Sequence, residues 1–217
     1  MTADTATTAQ TAIVAPYITR WSEEKTPARP VVSRGLGIAF EDEIAVDRDK
    51  RGVLWTRAPQ RHGVGRPLFG QVHPLRQRRV MSRLLCQVCA GPADRTADGV
   101  LFLLKDHRED WPGWPNRMGV SEPPVCWSCV RVSTRLCPAL RRGAVLVRAG
   151  WCEIAGVNGI LYSGDPEPRP VGQVTIAFEN PAIRWVKAAH LIRELLDCTL
   201  IELDQADQAG EVGSCRS

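Results

Sequence analysis

Two short motifs offer four thiols in a pattern that metal chemistry uses: Cys86-Gln-Val-Cys89 and Cys126-Trp-Ser-Cys129, with 36 residues between them. A CxxC turn presents two sulfurs from one tight bend, and two such turns supply the four thiolates of a tetrahedral zinc site. Sulfur at all four positions leaves no place for water, so the expected ion is structural rather than catalytic. Cys137, eight residues past Cys129, is a possible substitute ligand. Cys152 lies in strand-like sequence and reads as a small core residue, while Cys198 and Cys215 look incidental. Two readings compete with the metal. One is a pair of unrelated turns with free buried thiols. The other is a thioredoxin-like redox motif, which needs a strand before it and a helix opening at it; Cys86 instead follows a helical pattern.

The elements that must position these cysteines can be read around them. Pro74 suits a first helical position and opens Leu75–Leu85, where Val80, Met81, Leu84 and Leu85 share one face and Arg76, Arg79 and Arg83 another. That helix runs into the first cysteine pair. Val100–Leu104 is a continuous apolar run, expected as a buried strand. A loop rich in Pro, Gly and Trp fills 106–125. A helix continues from the second pair and stops at Cys137-Pro138, because proline cannot extend its hydrogen bonds.

Knuckle, loop, strand, second knuckle, helix is the order of elements in a treble-clef finger, and residues 84–140 resemble that class, with its zinc-ribbon-like four-cysteine site. Asp106-His107 and Asn116, bracketed by the two pairs, are in addition similar to the outline of HNH-type nucleases. That resemblance implies His107 as general base, Asp106 as a ligand of a catalytic metal and Asn116 as an orienting residue. The family's last metal-binding histidine is missing, since none follows Cys129 until His190. The leading expectation is therefore a protein without catalytic residues, and the nuclease is the enzyme alternative.

Charge is distributed unevenly. From Lys50 to Ala93 there is no Asp or Glu, while Lys50 and eight arginines accumulate. Such a run attracts polyanions. Arg61, Arg66, Arg76, Arg78, Arg79 and Arg83 are the expected contacts to nucleic acid or to an acidic protein surface. No Asn or Gln pattern for base edges stands out among them, so contact to backbone or shape is expected. The opposing reading is that the acidic run Glu41–Asp49, with Asp106, Glu109 and Asp110, folds onto the arginines and neutralises them. His62 and His73 are expected in a solvated loop over 58–73. A third functional possibility is an accessory protein that binds another protein through its C-terminal sheet.

The remaining chain reads as strands and turns. Gly37–Phe40 and Gly52–Trp55 suggest a hairpin. Asn158-Gly159, flanked by 151–157 and 160–162, is the strongest hairpin-turn signal. Strands are expected at 144–148, 171–178 and 199–203. Asn180-Pro181 suits a cap and first residue for a packing helix to about Asp197. The division that follows is a disordered tail (1–15), a β-hairpin with basic loop and helix (16–85), the zinc module (86–142), a β-meander with helix (143–204) and a flexible tail (205–217). The fold class is α+β, with small antiparallel sheets around the four-cysteine module.

Composition bounds the rest. The 217 residues are 44% hydrophobic and 24% charged, ordinary globular values. Of 28 basic residues only Lys25, Lys50, Lys105 and Lys187 are lysine, as codon bias in a GC-rich bacterial or phage genome would produce. No stretch approaches the roughly 18 apolar residues of a membrane span. The opening MTADTATTAQ lacks a basic start followed by an apolar run, so no secretion signal is expected. Paired CxxC spacing then points to a reducing cytoplasm.

Overall fold

A computed structural model describes residues 15–140 and 143–201. Except for residue 15, the two expected tails lie outside them, as does Cys215. In chain order the strands are β1 (Thr19–Trp21), β2 (Val31–Arg34), β3 (Gly37–Phe40), β4 (Leu54–Trp55) and β5 (Pro67–Val72). After α1 (Pro74–Arg83) come β6 (Arg95–Thr96), β7 (Gly99–Lys105) and β8 (Met118–Val120). Then follow α2 (Trp127–Leu136), β9 (Ala144–Tyr162), β10 (Pro170–Ala177) and β11 (Val186–Ile201).

The centre is a seven-stranded sheet ordered β4-β11-β9-β7-β6, with β10 also pairing with β9 and β8 with β11. β9 runs antiparallel to β7, β10 and β11, and β4 lies parallel to β11. The apolar run in β7 is continuous because both faces of the sheet are covered there. Val100, Phe102 and Leu104 pack with Trp114, Val120, Val145, Val147 and Leu195 on one face. Leu101 and Leu103 pack with Cys86, Cys129, Val130 and Leu146 on the other, beneath α2. Each such buried Leu or Phe contributes roughly 1.5–3 kcal/mol. α1 lays Met81 against Val53, Trp55, Val186 and Leu191.

The expected C-terminal packing helix is a strand. Only Pro181–Trp185 keeps a helical turn, of 3-10 type, with the Asn180 side chain accepting from Ala182 N at 2.9 Å. From Val186 the chain pairs with β9 over its full length, with register shifts at Ala188/His190 and Ile192/Arg193. The first inserts Ala189 into β11 and the second inserts Ala155 into β9. Buried positions then fall at 186, 188, 191, 192, 193 and 195, a spacing that imitates a helical face.

Asn158-Gly159 is likewise not a turn but the interior of β9. A Cβ on Gly159 would overlap the Lys187 carbonyl on the neighbouring strand, and one on Gly156 the Ile176 carbonyl. These glycines permit close backbone approach rather than reversal of direction. Asn158 instead donates to Thr175 Oγ1 and accepts from Gln173 Nε2, both at 3.0 Å.

Two N-terminal expectations also change. Gly37–Phe40 pairs with Val31–Arg34, while Leu54–Trp55 joins β11, so no hairpin links 37–40 to 52–55. Residues 67–72 of the supposed basic loop form β5, antiparallel to β1. His73 is fully buried rather than solvated. It caps α1, its Nδ1 accepting from Arg76 N at 3.4 Å and its Nε2 lying 2.8 Å from Pro59 O. Helix α1 itself starts at Pro74, as its sequence implies.

Candidate metal centre

The first cysteine pair follows directly from the end of α1. Leu84 takes the left-handed conformation that closes many helices (φ 51°), and the chain folds back with Cys86 N donating to Gly91 O at 2.7 Å. Ala90 N returns to Cys86 O at 2.9 Å, completing a bend with Cys86 and Cys89 on it. The second pair is held by β7: Val125 N donates to Leu101 O at 2.9 Å and Asp94 N to Val125 O at 3.0 Å. Cys126 is then the N-cap of α2, and Cys129 N donates to its carbonyl at 3.0 Å. A further strap comes from Tyr17 N and Ile18 N, which donate to Val88 O and Gln87 O at 2.8 and 3.2 Å.

These supports bring the four sulfurs of Cys86, Cys89, Cys126 and Cys129 within 4.8 Å of one another. Cys89 and Cys126 sulfurs are 3.8 Å apart, far beyond a disulfide bond of about 2.05 Å. A tetrahedral ion with metal–sulfur bonds of about 2.3 Å requires sulfur–sulfur edges of about 3.8 Å. The donor set therefore fits a metal ion in both number and spacing.

The thiols differ in how their surroundings treat the charged form. Burial pushes the Cys86 thiol up to about 11, against backbone N–H groups of Cys89, Cys126 and Val88 that favour its thiolate. Burial and the neighbouring sulfurs raise Cys129 further. Burial also opposes ionisation of Cys126, but hydrogen bonds from Ser128 and the Cys129 backbone outweigh it and lower its pKa. Four thiolates this close would repel one another, so all four could ionise together only around a cation.

Cys137 is outside this group. It sits at the C-terminal end of α2 with its N–H on Ser133 O at 2.9 Å. The nuclease-like trio is not brought together around one point by its bonds. Asp106 is engaged by Arg108 at 2.8 Å, His107 Nδ1 lies 2.9 Å from Asp110, and Asn116 Oδ1 accepts from Cys198 N at 3.0 Å. Trp114 is buried in the core while Trp111 stays exposed.

The arginines divide. Arg76 is not on an open basic face; it is 4% exposed and donates to Glu24 through Nη1 and Nη2 at 2.6 and 2.7 Å. Arg78 is half-buried, its guanidinium 3.8 Å above the Trp55 ring. Arg61, Arg66, Arg79 and Arg83 are exposed, with Arg79 donating to Tyr17 Oη at 3.3 Å. The acidic run does fold onto one arginine of the basic run, Arg57, through Asp42 and Asp47, and otherwise onto Arg29 and Arg48 outside it. Glu24 was missed by sequence reasoning, because its partner lies 52 residues away and an acid between Glu23 and Lys25 gives no local signal.

Among the described residues no helix is long and apolar enough to cross a membrane. In comparisons with known protein families, curated proteins and solved structures, the chain matches none.

Proposed function

We propose that the four cysteines hold a structural zinc ion in a treble-clef-like module, and that the protein is a non-catalytic binding module that engages nucleic acid through exposed arginines. The closed sulfur cage carries this reading. All donors are thiols, two come from a knuckle and two from the start of α2, and none leaves an open coordination position for water or substrate. Thiolate ligands suit zinc over hard cations such as magnesium, and they suit a reducing compartment such as the cytoplasm. The exposed Arg61, Arg66, Arg79 and Arg83 form no ion pair among the described residues, and unneutralised guanidinium groups favour phosphate.

Native mass spectrometry on freshly purified protein should find one zinc per chain. A labelled single-stranded or duplex oligonucleotide should bind at low salt, weaken steeply as salt rises, and lose most binding in Arg79→Ala/Arg83→Ala. Binding of an acidic protein with no nucleic-acid shift at low salt would replace the nucleic-acid part of the reading.

A further inference from the structure

A cavity of about 520 Å³, open to solvent, lies where the end of α1, the β6–β7 turn, β9 and β11 meet. This volume is in the range of small-molecule sites. Its wall gathers Arg51, Arg95 and Arg193 from three distant parts of the chain. Arg51 belongs to the basic run, whereas Arg95 and Arg193 lie outside it.

Arg193 is the unusual member. It is 6% exposed, donates through Nε and Nη2 to Met81 O at 3.0 and 2.6 Å, and bonds Cys152 O through Nη1. Among the described residues no carboxylate lies within ion-pair distance of it. Carbonyl acceptors take three of its five N–H donors and leave its charge unneutralised, which is costly inside a protein. Burial accordingly pulls its pKa below the ordinary arginine value. An anion in the adjoining cavity would remove that cost.

The surrounding residues narrow the anion. Arg95 is exposed and unpaired among the described residues, and Arg51 is exposed with its guanidinium 4.4 Å from the Phe178 ring centre. Exposed Glu153 is the acid on the wall, so three positive groups face one negative. Beside them Trp151 is 55% exposed, a large flat apolar surface left in water. Cations next to an open indole match a ligand that carries both a phosphate and a flat ring.

We propose that this cleft binds a nucleoside phosphate, with the phosphate held among Arg51, Arg95 and Arg193 and the base stacked on Trp151. The inference rests on the polyanion reading above and gives it a site. The nucleotide comes either free or as one unit of a single strand.

The test uses full-length, metal-loaded protein titrated at low salt with inorganic phosphate, adenosine monophosphate and a short single-stranded oligonucleotide, followed by calorimetry. The exposed side chains at 51, 95 and 151 can be removed without disturbing the core, which melting temperatures verify. A nucleotide or strand should bind at least about tenfold more tightly than phosphate, and Trp151→Ala should erase that margin. Arg51→Ala/Arg95→Ala should weaken all binding by about tenfold or more. Tighter binding of the monophosphate identifies a free nucleotide as the ligand, and tighter binding of the strand identifies a nucleic acid. An oligonucleotide that ignores these changes but is lost in Arg79→Ala/Arg83→Ala overturns the cleft and leaves the broader reading standing. Failure of all three probes to bind overturns both.

Discussion

Glu24 and Arg76 meet in a two-pronged ion pair inside the protein, Oε1 to Nη1 at 2.6 Å and Oε2 to Nη2 at 2.7 Å. The carboxylate also accepts from Trp21 N at 2.9 Å and Arg61 N at 3.0 Å. One side chain thus fastens β1, the loop before β5 and α1 together. Removing one partner strands the other charge in the interior, so Glu24→Ala should cost about 3–5 kcal/mol at neutral pH, read from denaturant unfolding.

The same pair sets a pH dependence. Burial raises the Glu24 carboxyl, but hydrogen bonds from Arg76 and Trp21, with the charges of His73 and Arg76, more than reverse this and hold it at about 2. A carboxyl with a depressed folded pKa contributes stability above its ordinary value of 4.5 and loses it as pH falls toward 2. Asp47, held low by Arg57, acts in the same direction. The difference in melting temperature between wild type and Glu24→Gln should therefore be largest above pH 4.5 and shrink toward pH 2. A difference that stays constant over that window would contradict this.

Gln77 joins α1 to the sheet. Its Nε2 donates to Ser121 O and Leu191 O at 2.8 and 2.9 Å, and its Oε1 accepts from Leu191 N at 3.0 Å. Gln77→Leu keeps the volume but leaves those buried backbone groups unpaired. The expected loss is about 2–4 kcal/mol, with hydrogen exchange at Leu191 rising more than elsewhere in β11.

Gly159 discriminates between a turn and a strand interior. Alanine there would press its Cβ into the Lys187 carbonyl and the Ala188 backbone. Gly159→Ala should cost about 3 kcal/mol or more, seen as a lowered melting temperature. An unchanged melting temperature would mean that β9 and β11 are not paired at this point.

The cage can be dissected by cysteine. On the proposed zinc reading, Cys86→Ser and Cys129→Ser should each abolish metal uptake and lower stability steeply, since binding energy there would be folding energy. Cys137→Ser should leave the metal-to-protein ratio unchanged. Plasma mass spectrometry on dialysed protein measures both.

What could be read in advance was local. CxxC turns, Pro74 opening α1, the apolar run of β7 and the stop at Cys137-Pro138 each depend on residues close in sequence, and each is where it was expected. What could not be read depends on distant partners. The helix-forming residues Ala188, Ala189, Leu191 and Leu195 are strand because β9 offers a long pairing surface, and intrinsic preference yields to that. The extra residue Ala189 in β11 disguised their alternation. Arg76 and His73 looked solvated because Glu24 and Pro59, which hold them, are far along the chain. For the cage, spacing identified the four sulfurs; that Cys137 stands apart needed coordinates.

The long central strand has a kinetic corollary. Everything needed to close the sulfur cage has been synthesised once Cys129 leaves the ribosome. β9, however, finds most of its pairing only in β11, which also completes the edges at β4 and β8. Contacts so remote in sequence slow folding. In a nascent chain the four cysteines are therefore available to one another before β9 can meet β11.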